Sequence, residues 1–282
     1  MSLLQLIILS MVQGVTEWLP ISSSGHVLLV SIWFGLVGPD ELLINAMAHV
    51  GTLFSVLIYF RKDVIRAMAG ALALIGLGSA GSADRELAIH IIAATPIALV
   101  TAFAFTMLPD GLVAQVRSLW VVIGTTVLFG IALWWADRDP KTEKSEAERS
   151  IMDATLIGAT QGIAAILPGT SRSGITMTAA RALGFARQEA ARFSMLIGIP
   201  LIGASGAYAF YELVTAPDGA ITLTASDAAM IVGLSFIAGY VSIAALMQWL
   251  ARMSFLPFVV YRLLLGAGLL LASPVALNLI PA

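Results

Sequence analysis

The stretch Gln13–His26, QGVTEWLPISSSGH, returns as QGIAAILPGTSRSG at Gln161–Gly174, with Gln, Gly, Leu, Pro and Ser repeating 148 positions apart in a chain of 282 residues. Each copy is an apolar run stopped at a Pro and followed by a cluster of hydroxyl residues. Pro removes a backbone donor and clashes with the preceding turn, so each copy reads as a helix broken at the Pro and restarted just beyond it. The first copy carries Glu17 and His26, the second Arg172. Charged groups on broken helices of an apolar chain mark its functional site.

Composition sets the class. Hydrophobic residues make up 59% and charged residues 11%, with a mean hydropathy of +0.94; a soluble domain is roughly 25% charged. The chain reads as an all-α polytopic membrane protein. A net charge of -2 hides a strong asymmetry along the chain and argues neither for nor against nucleic acid, but no basic, aromatic-interleaved patch appears, so nucleic-acid binding is set aside. The absence of cysteine excludes disulfides, thiolate metal sites and thiol nucleophiles. The opening MSLLQLIILSMVQG lacks a basic start and a small-residue cleavage site, and is expected to be retained.

Six apolar runs reach the roughly 20 residues that cross a bilayer: 42–60, 87–108, 117–136, 190–211, 227–250 and 254–273. The pairs of shorter arms around Pro20 and Pro168, spanning 3–37 and 151–184, read as re-entrant helix hairpins. If the first hairpin enters and leaves on one face, three crossings put 61–86 and 137–150 on the other. Arg61, Lys62, Arg66, Arg85, Arg138, Lys141, Lys144, Arg149, Arg181, Arg187, Arg192 and Arg252 then share that face, 12 of the 15 Lys and Arg. The positive-inside rule makes it cytoplasmic, with both termini outside. Each half, 1–140 and 141–282, is a hairpin plus three spans. That odd number of crossings inverts the second half, so the two tips should meet near the midplane, with Glu17 and His26 approaching Arg172. Residues 61–76 read as an interfacial amphipathic helix. The segment 137–149 reads as a solvated, flexible connector.

The tips carry groups suited to phosphate chemistry. Gln13 and Glu17, spaced i to i+4, share a helix face and can hold a hard cation. An isolated carboxylate at the bilayer centre costs about 2.5 to 3.5 kcal/mol, so Glu17 needs a cation, a guanidinium or a proton beside it. Ser22, Ser23, Ser24 and Gly25 open the second arm, whose free N–H groups favour an anion, and His26 follows within a turn. An imidazole with an ordinary pKa of about 6.5 can take a proton from a hydroxyl or attack phosphorus itself. In the other tip, Gly169 and Gly174 allow close backbone approach, while Ser171, Arg172, Ser173 and Thr176 supply donors for a phosphate cradle. Plain capping and interhelical hydrogen bonding would explain the serines alone, and an internal salt bridge between Glu17 and Arg172 would explain that pair. His49 reads as a packing residue and His90 as interfacial. Arg262 reads as a partner either of a site group or of helix-end carbonyls.

These two segments resemble the paired motifs of the bacterial undecaprenyl-pyrophosphate phosphatases, the BacA or UppP type associated with bacitracin resistance. The first family motif is met by Gln13, Glu17, Pro20, Ser22, Ser23, Gly25 and His26; the second, PGxSRSxxT, by Pro168, Gly169, Ser171, Arg172, Ser173 and Thr176. HVGT from His49 and YR at Tyr261–Arg262 fit as well. The resemblance covers the whole chain. It implies hydrolysis of a polyprenyl pyrophosphate lipid to the monophosphate and inorganic phosphate. It also implies dependence on a divalent cation, Mg²⁺ or Ca²⁺, and a site opening to the periplasm of the bacterial inner membrane. Gln13 stands where some members carry Glu, leaving one carboxylate for the metal. The roles expected are cation binding by Glu17 and Gln13, and pyrophosphate binding by Ser22, Gly169, Ser171, Arg172, Ser173 and Thr176. His26 would then act on Ser23 or water, or as nucleophile itself.

A rival from another class is a lipid-phosphate or anion transporter, which is also built from inverted repeats with broken midplane helices. Beyond the substrate and membrane lipids, a homodimer is compatible with the sequence. Gly124, Gly130 and Gly239 can pack within one chain or between two.

Overall fold

The computed structural model describes residues 2–34, 39–138, 143–215 and 224–277. These residues form α1 (Leu3–Trp18), α2 (Ser23–Phe34), α3 (Pro39–Tyr59), α4 (Arg61–Leu74), α5 (Ser82–Ala94), α6 (Pro96–Thr106) and α7 (Asp110–Val116). There follow α8 (Leu119–Asp137), α9 (Ile151–Ile166), α10 (Arg172–Ala182), α11 (Arg187–Thr215), α12 (Ala225–Leu250) and α13 (Leu256–Leu277). Four stretches are long and apolar enough to cross a membrane: Ser82–Thr106, Leu119–Asp137, Arg187–Tyr208 and Ala225–Leu250. A fifth comes from α3 with α4, which are bent by 87° at Phe60. The run expected at 254–273 is represented by the shorter apolar stretch Leu256–Leu271.

Local chemistry explains the breaks. Ser2 caps α1 and Ser150 caps α9, each closing a capping box with the third helical residue, Gln5 or Asp153. Leu19 and Leu167 are both extended, as the residue before a Pro prefers, and there the helices stop. The arms then pack in pairs, α1 on α2 and α9 on α10. Pro96 divides the expected span 87–108 into α5 and α6 at Thr95. α4 packs on α5 and leaves Ile65, Met68 and Leu72 exposed.

One central core joins the hairpins to the spans. Trp18 of α1 and Met177 of α10 are buried with Val56, Leu133, Met195, Ile243 and Phe255. Glycine lets α1 approach α12 closely: a Cβ on Gly14 would lie 2.6 Å from Ala238 Cβ and 2.8 Å from the Ser235 carbonyl. Gly162, its counterpart in α9, meets Thr101 of α6 in the same way, at 2.9 Å. Gly130 packs on Arg262 and Gly239 on Ser55 within the chain, while Gly124 meets nothing within 4 Å.

The connector departs from the expectation of a solvated, flexible loop. Its boundary at 140 and the hairpin end at 35–37 lie outside the described residues. The described stretch 143–149 is pinned. Lys144 pairs with Phe185 backbone to backbone, and Glu146 accepts from Arg192 at 2.8 Å and from Arg66 at 3.3 Å. Arg149 is buried over the Phe193 ring at 3.8 Å. Sequence polarity misled here because the charges have partners on α4 and α11. His90, near the start of the span that begins with α5, is buried within the protein.

Candidate active site

Each hairpin tip turns on a serine in a left-handed conformation. Ser22 has φ 74° and Ser171 has φ 68°, and both lie immediately before the second arm. The Ser22 hydroxyl accepts the amide of Gly25 at 3.3 Å, and the Ser171 hydroxyl that of Gly174 at 3.1 Å. Such backbone strain amounts to about 1 to 3 kcal/mol per residue and concentrates at functional sites. Gly169, at φ +84°, supplies the extra residue that carries the second chain from Pro168 to its cap, with the hydroxyl of Thr125 against its α-carbon.

This geometry corrects the correspondence between the copies. Beyond the Pro the structural offset is 149, not 148: Ser22 matches Ser171, Gly25 matches Gly174, Ser23 matches Arg172 and His26 matches Ile175. The two residues that open the second arms are therefore equivalent, and both reach Glu17. Ser23 Oγ donates to Oε2 at 2.8 Å, and Arg172 Nη2 donates to Oε1 at 2.9 Å. Gln13 Nε2 donates to Oε2 at 2.8 Å from one turn back. Gln161, the counterpart of Gln13, is buried without a hydrogen-bond partner, because Ala165 stands where the first copy has Glu17.

Arg172 is held from several sides. Its guanidinium stacks over Trp18 at 4.6 Å, donates to the Ser194 carbonyl at 3.4 Å and rests against Gly198, where a Cβ would collide with it. The Glu17 and Arg172 side chains are only 5% and 12% exposed. At that depth a lone charge is strongly disfavoured, so the pair neutralises itself.

His26 is engaged by the Ser22 carbonyl and the Tyr261 hydroxyl. Nδ1 lies 2.6 Å from the Ser22 carbonyl, which can only accept, so Nδ1 carries the proton and Nε2 the lone pair. Nε2 faces the Tyr261 hydroxyl at 2.6 Å, with the rings stacked 9° from parallel. Among the described residues His26 makes no hydrogen bond to Ser23, Glu17 or Arg172. His49, read as packing, belongs to the site. By the same logic its Nδ1–H donates to the Asn45 carbonyl at 2.6 Å, and Nε2 faces Gln13 at 3.2 Å and Glu17 at 3.7 Å.

The remaining residues lock the tips together. Ser173 Oγ donates to the Leu19 carbonyl at 3.0 Å, and the Gly169 amide to Ser24 Oγ at 3.4 Å. Thr176 bonds to Ser194 and to the Arg172 carbonyl. Arg262 is fully buried and resolves its alternatives toward carbonyls: those of Pro20, Thr125, Thr126, Gly169 and Thr170. The hydroxyls of Ser171, Ser173 and Thr176 are thus engaged within the protein.

The donor set fits a hard cation in kind. One carboxylate and one amide, on adjacent turns, offer oxygen ligands, and Mg²⁺ commonly takes one or two carboxylates with the rest from phosphate and water. Among the described residues no group of three His, Cys, Asp or Glu could hold a metal.

Fold and site together define an all-helical integral membrane protein whose two broken hairpins meet in a buried carboxylate–guanidinium pair. The family model of the bacitracin resistance protein BacA matches residues 6–268, and the chain belongs to that family. It is 50% identical over 279 residues to the undecaprenyl-diphosphatase of Hyphomonas neptunium, covering 98% of each chain. It is 43% identical over 271 residues to that of Maricaulis maris, covering 96% of this chain and 98% of the relative.

Proposed function

We propose that this protein hydrolyses undecaprenyl pyrophosphate to undecaprenyl phosphate and inorganic phosphate, returning the lipid carrier to cell-wall synthesis. The observation that carries this is the Glu17–Arg172 pair at 2.9 Å, formed where the tips meet, in a chain whose near-full-length relatives bear the name of that activity. The transport alternative has no such support.

Arg172 is a planar, permanently charged fork able to leave Glu17 and grip two phosphate oxygens. Glu17 and Gln13 would hold the divalent cation, which supplies neutralisation of charge developing on the pyrophosphate. Ser23, held by Glu17, and the first turn of α2 face the same anion. The Ser22 carbonyl fixes the His26 tautomer so that Nε2 has its lone pair available once Tyr261 moves aside. That nitrogen either attacks the terminal phosphorus or removes the proton from Ser23 or water. The P–O–P bridge breaks, undecaprenyl phosphate leaves, and water completes hydrolysis of any phosphoenzyme.

The inverted topology is supported by partner exchange. α1 packs on α12, the fourth helical unit of the other half, while α9 packs on α5 and α6, which hold that place in the first; α8 and α13 pair with each other. The face carrying most Lys and Arg is supported as a single side by ion pairs joining α4, α5, the connector and α11. The positive-inside rule then puts that face in the cytoplasm and the termini outside, with the site opening to the periplasm as the family resemblance implies.

The test is phosphate release from the C55 pyrophosphate by purified protein, beside His26→Ala. Near-normal release by the variant would overturn both roles for the imidazole. An acid-labile phosphoenzyme marks direct attack by His26, and an acid-stable one marks Ser23.

A further inference from the structure

Away from the tips, a cavity of about 230 Å³ opens between the end of α8 and the starts of α11 and α13, lined by Trp134, Asp137, Arg138, Arg187, Ser254 and Leu256. Its charges do not cancel. Asp137 Oδ1 accepts from both Arg181 Nε at 2.9 Å and Arg187 Nε at 2.8 Å, and Oδ2 accepts from the Phe255 amide at 2.9 Å. That carboxylate accepts three hydrogen bonds. Arg138 forms no ion pair among the described residues and lies over the Trp134 and Trp135 rings, at 5.7 and 5.9 Å. Among the described residues, three guanidiniums around one carboxylate leave a local excess of two positive charges.

The surroundings set the depth. Trp134 and Trp135 are exposed, and partly exposed Trp249 donates to the Ser254 carbonyl at 3.0 Å; exposed indoles belong at headgroup level. From the cavity two exposed apolar stripes run along the packed pair of helices: Leu256, Val260 and Leu264 on α13, and Trp135, Ile131 and Leu128 on α8. Spacings of three and four residues keep each stripe on one face.

We propose that this cavity binds the phosphate of an anionic phospholipid whose acyl chains lie along the α8–α13 stripes. Arg138 and Arg187 grip the headgroup, as planar forks suited to phosphate, and the tryptophans flank it. The apolar stripes distinguish a lipid from free phosphate, which would need only the guanidiniums.

The test uses full-length protein reconstituted in phosphatidylcholine nanodiscs with and without phosphatidylglycerol, with retained lipid counted by native mass spectrometry and thermal stability followed in parallel. Phosphatidylglycerol should be retained selectively and raise the melting temperature. Arg138→Gln should weaken that retention about fivefold while leaving phosphate release from the pyrophosphate substrate unchanged. Arg138→Lys, which keeps the charge, should retain most of the lipid. Arg187 is the poorer probe because it also holds Asp137. Equal retention of phosphatidylcholine, unchanged phosphatidylglycerol retention in Arg138→Gln, or the same thermal protection from inorganic phosphate alone would overturn the proposal.

Discussion

Arg172 sits between Trp18, Glu17, Ser194 and Gly198, a seat that fits a flat fork and no other cation. Lys at this position keeps the charge but cannot stack and bond in two directions at once. Arg172→Lys should therefore lose about 10²-fold or more in kcat/KM; full activity would contradict the grip on phosphate. Tyr261 makes a different prediction. Its hydroxyl meets His26 Nε2 while its ring stacks on the imidazole. Tyr261→Phe should then hold kcat within a few-fold of the native value or raise it, whereas Tyr261→Ala, which loses the stack, should lower it. If Phe were as damaging as His26→Ala, the phenol would have to be a proton carrier. Glu17 and Arg172 were legible in the sequence because a charge inside an apolar run demands an explanation. Tyr261 stood out only through the YR pair of the family resemblance; its contact with His26 was not legible, since an aromatic residue on an apolar helix reads equally as a lipid-facing one, and its partner is 235 positions away. The hydroxyls of Ser173 and Thr176 announced donors, but which oxygen receives them depends on carbonyls that only the fold brings near.

The elements that matter most are the two hairpins and the helix that fastens them. Arg262 of α13 donates to five carbonyls, two of them in the second tip, one in the first and two in α8. Replacing it with Met strands those buried acceptors, each worth about 1 to 3 kcal/mol when unsatisfied. Arg262→Met should lower thermal stability by about 3 kcal/mol or more; an unchanged melting temperature would mean water replaces the guanidinium freely. The broken arms themselves were readable, because Pro after an apolar run and a serine-rich restart leave few options for the backbone. Their correspondence was readable only up to the Pro. SSSG and SRSG align equally well to the eye with or without one extra loop residue, and the left-handed caps at Ser22 and Ser171 decide it.

At the scale of the whole molecule, charges pair across elements that are distant in sequence. Counting Lys and Arg gave the expectation of one charged face, whereas the pairing of Glu146 with Arg66 and Arg192 needed the fold. Burial pushes the Glu146 carboxyl up, but the hydrogen bonds and charges of Arg192 and Arg66 outweigh it, and its pKa falls below the ordinary 4.5. A carboxyl depressed in the folded state contributes stability above the ordinary range and loses it as pH drops through the folded value. The native protein should therefore melt higher than Glu146→Gln near neutrality, with the gap closing in acid below about 4.5; a gap constant with pH would contradict the assignment. The Glu17–Arg172 pair has a wider consequence under the proposed roles. Each is the other's resting counter-ion, so whatever satisfies Glu17 releases Arg172, and whatever occupies Arg172 exposes Glu17. Cation and phosphate are then reciprocal effectors, each tightening the other by the same factor, and neither meets the site at full affinity alone.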